Sequence, residues 1–190
     1  MKLSKENSKG TEILQKDSEE GGKLREKSIP IEISAIDSEK IKTIIDKMKE
    51  TLSKEGNGVA LAGPQIGVLK RIFVVDPIVY QSFNDPDNPT EITPDLKSGP
   101  TETVFINPKI IKISNDKKKV QEGCLSVMPW YGTVKRASRA TVKALNEKGE
   151  EFEIEGSGLL AQIFQHEIEH LDGILFTDKA IDLHKLGETE

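Results

Sequence analysis

Apolar side chains recur at helical spacing from Ile41 through Ile44, Ile45 and Met48 to Leu52, behind Ser38 as a cap and ahead of Gly56 as a stop. This pattern predicts an amphipathic helix in the N-terminal half, packed on a core. "RIFVV" (71–75), "TVFINPKIIKI" (103–113), "RATVKAL" (139–145) and "EFEIE" (151–155) are predicted strands, the last two joined by a turn at "NEKG". "GLLAQIFQHEIEHL" then predicts a second helix of about four turns, capped by Ser157 and ended at Asp172-Gly173. Residues 1 to about 28 are poor in large apolar groups, and part of this arm is expected to be loose. Residues 76–103, heavy in Pro, Asp and Asn, read as a long surface excursion. No internal repeat is present. The sum is an α+β domain with mainly antiparallel β-sheets around a central C-terminal helix, plus the N-terminal amphipathic helix.

At about 100° per residue, the second helix sorts its side chains into three strips. Leu159, Ile163, His166 and His170 share one face, with Glu167 on its flank; Leu160, Phe164, Ile168 and Leu171 form an adjoining apolar arc. Gln162, Gln165, Glu169 and Asp172 make a polar stripe, which assigns Glu169 to solvent. Two histidines at i and i+4 can bind one metal ion, and a glutamate at i+1 can reach a water on that ion without being a ligand. The alternative is a pair of hydrogen-bonded core imidazoles. In the long metalloprotease pattern HExxHxxGxxH the last position would be a third histidine, but Phe176 stands there and cannot ligate. His184, Asp178 and Asp182 have surface-like surroundings. Cys124, in "QEGCLSVM", is the remaining candidate: Gly123 lets the backbone turn tightly before it, and a thiolate suits Zn or Fe(II).

Composition adds limits rather than chemistry. The 190 residues suffice for one domain with a real core. A net charge of -5 gives no general attraction to nucleic acid or to an anionic membrane. The N-terminal segment has no signal-peptide core and no stretch approaches a membrane span, so a cytoplasmic location is expected. The single cysteine excludes an internal disulfide.

HExxH, together with "EGCLS" (122–126) and "GVALAGPQIG" (58–67), resembles peptide deformylase, the family that removes the formyl group from N-formylmethionyl peptides of nascent proteins and releases formate. "FINP" (105–108) and "ILQ…LREKSIPI" near the start are also similar to the family. The resemblance implies a catalytic domain over 13–178, between a flexible arm at 1–12 and a tail at 179–190. It implies Cys124, His166 and His170 as ligands of one divalent ion, Fe(II), with Zn(II) or Ni(II) as substitutes. Glu167 would be the general acid/base for a metal-activated water, Gln65 and the Leu125 N–H would stabilise the oxyanion, and Glu122 and Arg136 would pair behind the cysteine. Gly58, Val59, Ala60, Gly123, Leu159 and Ile163 would bind the peptide. The implied partners are nascent formylated chains, at the ribosome, without direct nucleic-acid binding. The family's first motif usually reads Gly-x-Gly-x-Ala-Ala-x-Gln; here Ala60 replaces the second glycine and Gly63 the second alanine, and Met128 stands where proline is frequent. Two other readings share some of these residues: an HExxH metallopeptidase or other amide hydrolase, and a noncatalytic module stabilised by metal.

Overall fold

The computed structural model describes residues 12–81 and 103–187. Helix α1 (Glu39–Lys54) begins where the Ser38 hydroxyl accepts the Ile41 N–H, and it buries Ile41, Ile45, Met48 and Leu52. Strands β1 (Ala60–Ala62), β2 (Ile72–Val75) and β3 (Val104–Ile113) follow, with a short helix α2 (Ile78–Gln81) between the last two. Next come β4 (Lys117–Gly123), β5 (Trp130–Ala137), β6 (Arg139–Leu145), β7 (Glu151–Ser157), helix α3 (Gly158–Leu171) and β8 (Ile181–Lys185). The strands form two antiparallel sheets, one ordered β1-β2-β3-β6-β7 and one ordered β4-β5-β8.

Strand β2 is covered on both faces, which is why "RIFVV" reads as an unbroken apolar run. Ile72 and Val74 point to the α1 side, in one cluster with Val104 and Ile106; Phe73 and Val75 point to the α3 side, with Phe105, Leu160 and Phe164. Phe105 lies at the centre of the α3-side cluster, its ring centroid 4.5 Å from Phe73, 5.3 Å from Phe152 and 5.4 Å from Phe164. Phe105→Ala is expected to cost about 3–5 kcal/mol through lost burial and a residual cavity, read as a lower urea midpoint at an unchanged m-value.

Two expectations are corrected here. Strands β1, β4, β5 and β8 escaped the pattern analysis because β1 is three residues long and β4 and β8 are mostly exposed. Residues 179–190, expected as a tail, supply β8, which pairs with β5. The flexible arm expected at 1–12 lies, except for residue 12, outside the described residues; from residue 13 on, Leu14 and Lys16 donate backbone hydrogen bonds to Gln65 and Ser126, and Leu24 is fully buried. Most of the 76–103 excursion, residues 82–102, also lies outside the described residues.

Candidate active site

Helix α3 is held by its apolar arc. Leu160, Phe164, Ile168 and Leu171 all enter the core against the larger sheet, whereas Ser157 occupies the cap position without the expected side-chain cap bond. Docked this way, the helix turns the His166–His170 face toward the loop after β4. That loop delivers Cys124, whose Sγ lies 3.2 Å from His170 Nε2, and one ligand atom from each of Cys124, His166 and His170 falls within 4.8 Å of the others. Donors bound at 2.0–2.3 Å around one tetrahedral ion lie about 3–4 Å apart, so this sulfur-and-two-nitrogen set fits a single transition-metal ion. His184, Asp178 and Asp182 are elsewhere: His184 is exposed, and Asp178 pairs with Arg25.

A buried ion-pair network lies behind the ligands. The Arg136 guanidinium donates through Nε to Glu122 Oε1 at 2.6 Å and through Nη2 to Glu122 Oε2 at 2.8 Å. Glu122 Oε2 also lies 3.1 Å from His166 Nδ1, which leaves Nε2 of that ring for an ion, the usual arrangement of a carboxylate orienting a metal-binding histidine. Burial alone would raise the Glu122 carboxyl; hydrogen bonds from Arg136 and His166 outweigh it and hold the group at about 2, so it stays ionised. Burial, with His166 beside it, pushes His170 well below its ordinary value and keeps that ring neutral, the form that ligates.

The polar stripe of α3 does not face solvent as a whole. Gln165 is buried and accepts the Ala137 N–H of β5 at 3.0 Å, and Glu169 accepts from Arg136 Nη1 at 2.7 Å and from Lys179 at 2.5 Å. Among the four stripe residues only Asp172 is exposed. The reason is β5: helical periodicity shows which residues share a strip, but a strand missed by the pattern covers this one. Glu169, the second carboxylate on Arg136, is the site residue that sequence reasoning missed, and no local signal marks it.

Gln65 enters from the other sheet, on the 3-10 turn Gly63–Ile66 after β1. Its Oε1 accepts the Ala62 N–H at 2.8 Å, which aims Nε2 inward, 3.6 Å from Cys124 Sγ and 3.2 Å from Ser126 Oγ. The glycine at 63 has a local cause: an added Cβ would sit 2.7 Å from the Val68 carbonyl oxygen. The Leu125 N–H has no hydrogen-bond acceptor among the described residues. Glu167 is 4% exposed, and its Oε2 has no partner among the described residues. Burial lifts this carboxyl to about 7, against the opposing pull of His166.

These groups surround one cavity of about 480 Å³. Cys124, His166, Glu167, Gln65 and Leu125 are among its lining residues, and His170, which is not, lies against Cys124. Leu159 and Ile163 form an apolar flank. Gly58, Val59 and Ala60 edge it on one side and Gly123 on the other, with Gln162 and Met128 also at the wall. All the residues proposed from sequence for peptide binding thus meet at one cavity.

A family model for polypeptide deformylase matches residues 11–186. Peptide deformylase 2 of Clostridium acetobutylicum is 42% identical over 155 residues, 82% of this chain and 87% of that protein. A peptide deformylase structure from Legionella pneumophila superposes with a TM-score of 0.71 at 38% identity, covering 90% of this chain and 86% of the other. The Met-Ala-Ser-bound class I type b peptide deformylase from Acinetobacter baumannii gives a TM-score of 0.71 at 29% identity, covering 88% and 96%. With its sulfur-and-imidazole cluster and these relatives over nearly its whole length, the chain belongs to the polypeptide deformylase family, hydrolases that remove the N-formyl group from nascent peptides.

Proposed function

We propose that this chain hydrolyses the formamide of N-formylmethionyl peptides with Cys124, His166 and His170 holding one divalent ion, Fe(II), for which Zn(II) or Ni(II) can substitute. The observation that carries this reading is that Cys124 and His166, with His170 clustered against them, meet an unpartnered carboxylate oxygen and two amide-bearing residues at one cavity. When bound, the ion lowers the pKa of a coordinated water toward about 7 and polarises the formyl oxygen.

The chain's own residues do the rest. Glu167 accepts a proton from the attacking water and delivers it to the departing amine; a carboxyl lifted to about 7 is matched to both transfers near neutral pH. The Gln65 amide and the Leu125 N–H hold the charge that develops on the formyl oxygen, and each such donor is worth about 100-fold in rate or more. Leu159 and Ile163 take the methionine side chain. Strands β1 and β4 are each the outer strand of their sheet, and Ala60 of one and Gly123 of the other line the cavity, so the peptide binds as an added strand through its main chain with little sequence preference. Gly58, Val59, Ala60 and Gly123 supply those edges.

The substrate is expected at the ribosome in the cytoplasm, where formylated chains emerge. Among the described residues no helix is long and apolar enough to cross a membrane. Freshly purified, Fe(II)-loaded protein is expected to release formate from formyl-Met-Ala-Ser, to leave the unformylated peptide intact and to act poorly on the acetylated one. A chelator should stop turnover and added Fe(II) should restore it. Cleavage of an internal peptide bond in the unformylated peptide would replace this reading with a peptidase.

A further inference from the structure

"ILQ" at residues 13–15 follows directly on the arm expected to be flexible, and it is bonded to both oxyanion-donor loops. The Leu14 N–H donates to the Gln65 carbonyl at 2.8 Å, and the Lys16 N–H donates to the Ser126 carbonyl at 2.8 Å. Between them Gln15 Nε2 reaches the Leu125 carbonyl at 2.9 Å, a contact across 110 positions of sequence. The acceptors belong to two different segments: the turn that presents Gln65 and the loop that presents Cys124 and Leu125. Among the described residues, Gln65 also touches that loop through its own side chain, at Cys124 and Ser126. The 13–16 segment is therefore a strap whose main chain sets the spacing of the two loops.

Gln15 itself is exposed, so its side chain is not placed there for burial. We infer that Gln15 is a positioning residue for deformylation: by holding the Leu125 carbonyl it restrains the Leu125–Ser126 peptide plane and so the backbone torsions of Leu125, through which the N–H on the preceding peptide plane is aimed at the reacting oxygen. This rests on the assignment of Leu125 and Gln65 as oxyanion donors. A donor of that kind matters most when charge has developed, so its misdirection lowers kcat more than it alters substrate binding.

The test compares wild type, Gln15→Met, Gln15→Ala and Gln65→Ala in the full metal-loaded chain, measuring kcat and KM for formyl-Met-Ala-Ser, metal content and thermal unfolding. Gln15→Met keeps the length of the side chain and removes the donor. Both Gln15 variants are expected to lose about three- to tenfold in kcat, the range of one solvent-accessible hydrogen bond, with KM within about twofold and metal content unchanged. An unchanged kcat overturns the inference. So does a raised KM at constant kcat, which would make Gln15 a substrate contact, or a parallel loss of metal and thermal stability, which would make it a structural tie. Gln65→Ala separates the two levels: wild-type kcat there refutes the oxyanion assignment itself, whereas a large loss there beside an unaffected Gln15→Met refutes the strap alone.

Discussion

Glu167→Gln is expected to retain a full complement of metal while releasing formate about 100- to 10,000-fold more slowly than wild type, the range over which general acid/base catalysis typically contributes. The proposed ligand atoms come from Cys124, His166 and His170, so the substitution leaves that donor set intact. A glutamine is nearly isosteric with the buried Glu167 and can form hydrogen bonds, but it cannot take up and return a proton. Metal analysis beside a formate assay checks both halves. Near-normal turnover would remove Glu167 from the mechanism, and loss of metal would make it a structural support of the site.

Arg136→Met is expected to lower stability strongly and to weaken metal retention as well. The guanidinium is 3% exposed and is shared by Glu122, itself 3% exposed, and Glu169. Removing it leaves the buried Glu122 without its cation and leaves Glu169 with only the half-exposed Lys179, and breaking a buried pair from one side typically costs about 3–5 kcal/mol. That is a large part of the roughly 5–15 kcal/mol available to a domain of this kind. The same change frees Glu122 from its fork and so loosens His166, so the variant should also give up its metal faster to a chelator. Urea unfolding and chelator-exchange kinetics measure the two effects. An exposed partner behaves differently: Lys179, with 47% of its side chain accessible, is expected to contribute no more than about 1 kcal/mol. If Arg136→Met unfolds like wild type, the network is a passenger and Glu122 needs no counter-ion.

Elements whose burial pattern is set along the chain were legible from sequence. Helix α1 was one, because its stripe of Ile41, Ile45, Met48 and Leu52 faces a single layer. Strands β2, β3, β6 and β7 were legible for the same reason, since they belong to the sheet on which the helices pack. Lys117–Gly123 and Ile181–Lys185 were not, because a strand that keeps much of its surface in water carries a weak apolar signature. That loss spread to the site. Without β5 in view, Gln165 and Glu169 looked like solvent-facing positions, and without the two loops in place nothing showed what the segment around Gln15 touches.

The sequence by itself determined the parts that depend on local geometry. Two imidazoles at i and i+4 share a helix face whatever surrounds them, and a carboxylate at i+1 stands beside them. The tertiary structure alone decided what meets that face. Cys124 is 46 positions from His170, and Gln65 is 59 from Cys124. Their convergence depends on how two sheets and a helix pack, and the arginine that balances the buried charge depends on the pairing of β4 with β5. Periodicity orients a side chain relative to its own backbone; only packing supplies the partner on the other side.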